Sequence, residues 1–218
     1  MFSGGRDSTL AAVRLAREWD KLVLATVTSG GLNGIARVTR RISELRSILP
    51  QTTSWVHANL VGESHDDDTR TCLTCHQAYI VAGAVMADRF RATHIALGYS
   101  GYQSGWAEQT PYAIKKLGEV LTSNGFSLVL PVADVQNKVD AIKELEANKL
   151  STEALEQKCV RQIIDPGLTG ENLYQEVDVW SHRLKEAMSE RAKGNLEIVT
   201  VYKFNDPIIE NVYPTRSV

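Results

Sequence analysis

The chain has 218 residues, of which 43% are hydrophobic, enough to bury the core of a single domain. Its formal net charge of -2 and sequence pI of about 6.2 exclude a global basic field that would attract nucleic acid. The sequence has no apolar run long enough to span a membrane and no secretory leader pattern. We therefore expect a cytoplasmic protein that makes no contact with a membrane.

Short apolar runs rich in β-branched residues alternate with segments whose apolar residues recur every three or four positions. This alternation is typical of βαβ units and predicts an α/β fold with a doubly wound, mostly parallel sheet that binds ligands at the carboxyl ends of its strands. The predicted strands are 21–28, 54–56, 93–97 and 127–130, and the predicted helices are 10–19, 35–49, 77–90, 112–121, 139–147 and 173–191. We expect loops at 64–68 and 163–172, a main domain at 1–160, and a helical extension of that domain at 161–218.

The segment Ser-Gly-Gly-Arg-Asp-Ser-Thr at residues 3–9 lies where a first strand should pass into the first helix. Two glycines let a phosphate approach the backbone closely, and successive amide groups at a helix N-terminus attract an anion. Hydroxyl groups add donors, and Asp7 either caps the helix or helps to hold Mg²⁺ beside the phosphates. A plain Gly-Gly turn is the alternative. The predicted phosphate site comprises Ser3, Gly4, Gly5, Arg6, Asp7, Ser8 and Thr9.

Only Met1 and Phe2 precede this loop, so the first strand is either very short or trimmed. Four arginines lie off the apolar stripe of the second predicted helix, where a solvated face is the favoured interpretation and contact with a polyanion the alternative. These arginines are Arg37, Arg40, Arg41 and Arg46.

The cysteines form the second candidate site. Cys72, Cys75 and His76 are spaced i, i+3 and i+4 at a helix start and should project from one face. Cys159 follows a short helical stretch predicted from Ser151. Three thiolates could bind a [4Fe-4S] cluster with one iron left open, or Zn²⁺ with His76 or water as the fourth ligand. The alternative is two surface thiols and one buried cysteine that packs as a small hydrophobe.

The loop SGGRDS resembles the defining motif of the PP-loop, or N-type, ATP pyrophosphatases, which have an adenine nucleotide alpha hydrolase-like, Rossmann-like fold. Residues 131–142 resemble the family's segment after the last strand, in which a lysine lies near the phosphates. The resemblance implies ATP cleavage between the α and β phosphates, with catalytic roles for Asp7, Ser8 and Lys138. It also implies that Lys138 contacts the phosphates and that adenine binds at strand ends formed by Thr26, Val27, Thr28 and Gly98.

Two branches of this family fit different parts of the sequence. The layout from Gly98 to Lys138 resembles 7-cyano-7-deazaguanine synthases, which adenylate a carboxylate on a deazapurine and admit a nitrogen nucleophile. Cys159 would match the first zinc cysteine of that branch, but the other three zinc cysteines do not occur. Cys72, Cys75 and Cys159 instead resemble the cluster cysteines of iron-sulfur tRNA thiolation enzymes, although the additional zinc cysteine pairs or RNA-binding domain of that branch do not occur in the sequence.

The expected function is ATP-dependent adenylation of a carboxylate or carbonyl oxygen on a deazapurine or nucleobase-like small molecule, in the manner of a 7-cyano-7-deazaguanine synthase. Thiolation of a nucleobase or tRNA by a three-cysteine iron-sulfur enzyme is the alternative, and an ATP- or AMP-binding sensor module is the non-enzymatic one. The implied cofactors are ATP and Mg²⁺, with Zn²⁺ or a [4Fe-4S] cluster at the cysteines. A protein acceptor and a homodimer are further alternatives.

Overall fold

The computed structural model describes residues 1–61, 71–160, 168–193 and 196–206. The helices are α1 (Arg6–Leu15), α2 (Ile35–Leu45), α3 (Leu73–Phe90), α4 (Pro111–Ser123), α5 (Lys138–Ala147) and α6 (Gly170–Ser189). The strands are β1 (Val23–Thr28), β2 (Leu32–Asn33), β3 (Ser54–Leu60), β4 (His94–Ala96), β5 (Ser127–Val129), β6 (Lys158–Cys159) and β7 (Leu196–Lys203). The acidic loop predicted at 64–68 lies outside the described residues. Residues 163–167 of the second predicted loop also lie outside them.

The strands pair mainly in parallel at the centre of the molecule and antiparallel at one edge. β1 lies parallel to β3, β4 lies parallel to β5, and β7 runs antiparallel along β3. Residues 1–2 lie between the two parallel pairs, because the Phe2 amide donates to the Ala25 carbonyl at 2.7 Å and the Met1 nitrogen donates to the Ala96 carbonyl at 2.5 Å. Residues 1–2 therefore bridge β1 and the end of β4.

Helices cover both faces of β1 and β3. On one face, Leu24 and Trp55 join the core formed with α1, α2 and α5. On the other face, Ala25 and Val27 pack against α3. A further cluster joins α3, α4 and α6. The predicted α/β fold with central parallel strands and helices on both faces is confirmed. Within the described residues, no helix has the length and apolar character needed to cross a membrane.

Two local predictions were wrong or incomplete. The stretch from Ser151 is extended rather than helical and leads into β6, which pairs with β2. The segment after residue 160 contains β7 as well as the predicted final helix. The sequence of β7, Leu-Glu-Ile-Val-Thr-Val-Tyr-Lys, is rich in the β-branched residues that favour strands.

Two of the arginines of α2 do not lie on the solvated face that the sequence favoured, whereas Arg40 is exposed. Arg41 is fully buried and donates to the carbonyls of Ser151 and Glu153 at 2.8 and 2.6 Å. Arg37 donates to two further carbonyls within residues 151–156. These carbonyls belong to a segment without a regular backbone partner, and buried carbonyls need donors. The arginine face of α2 therefore anchors this segment, which we call the anchored segment (residues 151–157).

Candidate functional site

The phosphate loop, residues 3–9, closes onto itself at the start of α1. The Gly5 amide donates to the Ser3 hydroxyl at 3.2 Å, and the Ser3 and Ser8 hydroxyls lie 3.0 Å apart. Gly4 has a positive φ of 83°, and a Cβ there would lie 2.9 Å from the Leu155 carbonyl oxygen. A glycine is therefore required at this position, both by the backbone conformation and by the close approach of the anchored segment. The arrangement presents a helix N-terminus to the neighbouring cavity, which is the geometry of an anion site.

A cavity of about 510 Å³ lies beside this loop and the ends of β1 and β4. Its wall brings together most of the predicted nucleotide-binding residues, namely Ser3, Gly5, Arg6, Asp7, Ser8, Thr26, Val27, Gly98 and Lys138. Gly4, Thr9 and Thr28 are not part of this wall, and the Thr9 hydroxyl donates instead to the Gly5 carbonyl at 2.6 Å. Lys138 is exposed, begins α5 and lines the cavity.

Gly98 allows β4 to approach the phosphate loop. A Cβ at this position would lie 2.7 Å from the Ser8 amide nitrogen and 2.9 Å from the Asp7 carbonyl carbon. Both atoms belong to the backbone, so a side chain at residue 98 would displace the loop itself. The predicted role of Gly98 at the end of a strand therefore has a steric basis in addition to any backbone contact with a base.

Tyr102 holds the acidic residue of the phosphate loop. Its hydroxyl lies 2.7 and 2.8 Å from the two carboxylate oxygens of Asp7. Burial raises the pKa of Asp7 above its usual value, although the hydrogen bond from Tyr102 opposes this shift. Burial and the bond to Asp7 raise the pKa of Tyr102 to about 12, so it remains a donor at neutral pH. The sequence alone did not identify this role of Tyr102, because no local spacing relates it to Asp7.

The end of β1, where the sequence predicted adenine, is contacted by Gln157. Its amide nitrogen donates to the Val27 carbonyl at 3.0 Å, and its amide oxygen accepts from the Thr28 hydroxyl at 2.6 Å. The Thr28 oxygen also lies 2.8 Å from Nε2 of His57, whose pKa burial lowers to about 4. Gln157 was not identified from the sequence, since a lone glutamine in a predicted helix carries no signal.

The three cysteines lie near one another at the start of α3 and on β6. Burial, the charge of Glu108, and the charges of Cys75 and Cys159 raise the pKa of Cys72 to about 12. All three cysteines are reduced. However, no three His, Cys, Asp or Glu side chains among the described residues converge on a point where a metal ion would fit. The fold therefore groups the cysteines without forming a finished ligand set.

His76 faces two protein partners at the cysteine end of the cavity. Its Nδ1 lies 2.9 Å from the Tyr99 hydroxyl, and its Nε2 lies 3.6 Å from a carboxylate oxygen of Glu108. The side chain of Glu108 is only 5% exposed. Burial lowers the pKa of His76 below its usual value. Both ring nitrogens are thus directed at neighbours, which argues against His76 as a metal ligand in this arrangement.

No family model matches the sequence, and no curated protein is detectably similar to it. Two solved structures are similar to this chain at the level of fold. A 4-thiouridine synthetase in complex with RNA and ATP aligns over 91% of this chain with 14% identity and a TM-score of 0.59. The U34-tRNA thiolase NcsA from Methanococcus maripaludis, with its [4Fe-4S] cluster, aligns over 88% with 14% identity and a TM-score of 0.52.

The chain shares the fold of these two proteins. It covers 54% of the length of the synthetase, so this chain spans about half of that protein, and 69% of the length of the thiolase. Residues 3–9 follow the two residues that bridge β1 and β4, and they include the first turn of α1. The expected α/β fold is therefore confirmed by structural similarity as well as by the strand pairing and helix packing.

Proposed function

We propose that this chain is an ATP pyrophosphatase that adenylates an oxygen of a nucleobase-like substrate and releases pyrophosphate. The observation that carries the proposal is that one cavity is lined both by Asp7, Ser8 and Lys138 and by Tyr99 and His76, which lie near the cysteines. Its volume of about 510 Å³ lies in the range of cofactor sites. A phosphate-binding end and a separate acceptor end are what an adenylation reaction needs.

In the proposed reaction, the amides of the phosphate loop and the amine of Lys138 hold the triphosphate. Asp7, kept in place by Tyr102, helps to position Mg²⁺. A substrate oxygen attacks the α phosphorus, the bond to the β phosphate breaks, and pyrophosphate leaves. The protein contributes position and electrostatic stabilisation of the leaving group. A nucleophile then attacks the activated carbon, and AMP departs with the former substrate oxygen.

We favour a sulfur nucleophile and an RNA nucleobase as acceptor. Cys72, Cys75 and Cys159 lie close enough for their charges to interact, next to the acceptor end of the cavity. The two proteins with this fold described above are named as a 4-thiouridine synthetase and a tRNA thiolase. A [4Fe-4S] cluster or Zn²⁺ would be held by these three cysteines. Because their side chains do not converge on a metal position among the described residues, we derive no step through such a group.

The same lack of convergence favours a second candidate, in which the cysteines hold no cluster and the nucleophile is nitrogen. A deazapurine carboxylate would then be the acceptor, as in 7-cyano-7-deazaguanine synthases. The slightly acidic chain, with a formal net charge of -2, is also compatible with a small-molecule substrate. Both candidates share the adenylation half-reaction and differ in the second half.

Pyrophosphate release from ATP tests the shared half-reaction and distinguishes an enzyme from a nucleotide sensor. Asp7→Ala and Ser8→Ala should lower the rate by about 100-fold or more, because each removes a group from the phosphate end. Ser104→Ala changes an exposed serine and should keep the parent rate. Parent rates in both site variants would show that the site is wrongly assigned.

Metal and sulfide analysis of protein purified without oxygen separates the two candidates. Iron with acid-labile sulfide, lost in Cys72→Ala, would support thiolation. Zinc or no metal would favour nitrogen chemistry on a deazapurine-like carboxylate, which can be tested directly with ammonia as the nucleophile.

A further inference from the structure

Two adjacent side chains of the anchored segment line the cavity and contact two different parts of its wall. Glu156 lies against the phosphate loop, whereas Gln157 lies at the end of β1. Under the proposed function, the first part of the wall would hold phosphate and the second would hold the base. This coincidence carries an inference that rests on the proposed function and deepens it.

The contacts of Gln157 match the hydrogen-bonding edge of adenine. Its amide nitrogen donates to the Val27 carbonyl, and the adjacent amide oxygen accepts from Thr28. Adenine offers a similar pair, since its exocyclic amino group is a donor next to the ring acceptor N1. The Val27 carbonyl is a backbone acceptor at the strand end where the resemblance to PP-loop enzymes implies that adenine binds. Adenine bound at this strand end would therefore compete with Gln157 for the Val27 carbonyl.

Glu156 lies where the phosphate loop would hold a phosphate, as Gln157 lies where the base is expected. Its Oε2 would lie 3.1 Å from a Cβ on Gly5, so the carboxylate packs against the phosphate loop. The charge of Glu156 contributes to raising the pKa of Asp7, which places the two carboxylates near each other. Oε2 is buried and has no hydrogen-bond partner among the described residues. A carboxylate held without donors in this position repels an incoming phosphate and loses little when it is displaced.

We propose that Glu156 and Gln157 occupy the nucleotide site of the ligand-free protein, in place of a phosphate and the base, and that ATP displaces both side chains. The backbone beneath them stays fixed during this exchange. Arg6 donates to the Thr152 carbonyl at 2.7 Å, and Arg41 donates to the carbonyls of Ser151 and Glu153. The exchange is thus a rotation of two side chains rather than an unfolding of the segment.

The proposal predicts that truncating Gln157 or neutralising Glu156 strengthens binding, and that each change affects the binding of a different part of the nucleotide. Calorimetric titration of AMP should show binding to Gln157→Ala that is about 5- to 10-fold tighter than binding to the parent, because fewer molecules have a blocked base site. Titration of pyrophosphate in EDTA should show a similar gain for Glu156→Gln. Each variant should bind the other probe within about twofold of the parent.

Glu153→Gln is the matched control, because Glu153 lies on the same segment, is 60% exposed at its side chain and pairs with Arg40 at the surface. It should bind both probes like the parent. Circular dichroism and unfolding temperature check that all three variants fold.

Equal or weaker binding by Gln157→Ala and Glu156→Gln would overturn the inference and identify these residues as ligand contacts or as bystanders. Failure of the parent to bind ATP, AMP and pyrophosphate would instead overturn the proposed function itself, and the inference with it.

Discussion

The two ends of the cavity are built in different ways. The phosphate end is made from one continuous stretch, residues 3–9, whose side chains and amides bond mainly to one another. The cysteine end combines the start of α3 with β6, which are distant in the sequence and meet only because the anchored segment is held against α2. A site fixed by local backbone geometry can be recognised from a motif. A site assembled by long-range contacts depends on the anchors that bring its parts together.

The largest effect should follow from a change that pushes on the phosphate end. In Gly98→Ala the new methyl group would lie 2.7 Å from the Ser8 nitrogen and would shift the loop. We expect pyrophosphate release to fall by about 100-fold, as displacements of about 1 Å can cause. Gly118→Ala is the control, since a Cβ there meets no atom within 4 Å, and it should keep full activity. Normal release by Gly98→Ala would show that the loop tolerates displacement and that the phosphate end is less rigid than its contacts indicate.

Independence of the two ends can be tested by changing a cysteine. If sulfur is transferred at the cysteine end, Cys72→Ala and Cys159→Ala should lose sulfur incorporation into RNA while pyrophosphate release stays within about twofold of the parent. Mass spectrometry of the RNA and a pyrophosphate assay measure the two outcomes. Thr74→Ala, an exposed position between two of the cysteines, should alter neither. A parallel loss of both activities would mean that the ends act as one unit.

The connection between the ends should depend on Arg41. Arg41→Ala leaves the part-buried carbonyls of Ser151 and Glu153 without their donor. We expect the free energy of unfolding to fall by about 3 kcal/mol, because two carbonyls lose hydrogen bonds to a charged group. Urea denaturation measures this change. Arg40→Ala removes a neighbouring arginine whose side chain is 58% exposed and should cost less than about 1 kcal/mol. Equal losses in the two variants would refute the anchoring role of Arg41.

The smallest expected effect is a pH dependence of the free energy of unfolding, which arises from His57 near the end of β1. It becomes measurable only below neutral pH. Burial holds the pKa of His57 at about 4 in the folded protein. In the unfolded chain the pKa is about 6.5, so acid protonates the unfolded state first. The stabilisation from neutral His57 is complete above the unfolded-state pKa of about 6.5 and is lost as pH falls towards 4. Between pH 7 and 5 it should decline by about 2 kcal/mol.

His57→Gln should remove this part of the pH dependence, because glutamine does not titrate in this range. Urea denaturation of parent and variant at pH 7, 6 and 5 provides the comparison. Parallel stability curves for the two proteins would show that His57 does not titrate as its burial implies.

The sequence predicted the strands and helices whose buried residues form a regular apolar pattern. It also predicted the phosphate loop, which lies in one short stretch of sequence. β1 and β3 follow from short β-branched runs, and the phosphate loop follows from two glycines before a helix. The partners of that loop were not predictable, because Tyr102 and Glu156 reach it through tertiary structure and no spacing relates them to Asp7. Likewise, the polar face of α2 looked solvated, since a sequence does not reveal which carbonyls will need a buried donor.

Arginine side chains hold the anchored segment by hydrogen bonds to its main-chain carbonyls. Arg6, Arg37 and Arg41 all donate to carbonyl oxygens, which every amino acid carries. Side chains in this segment can consequently be exchanged by mutation with little risk to its path across the cavity. A single scaffold could thus acquire different nucleotide preferences by altering the residues at 156 and 157 alone. For protein engineering, a small library of variants at these two positions would test nucleotide selectivity, while the arginines keep the path of the segment.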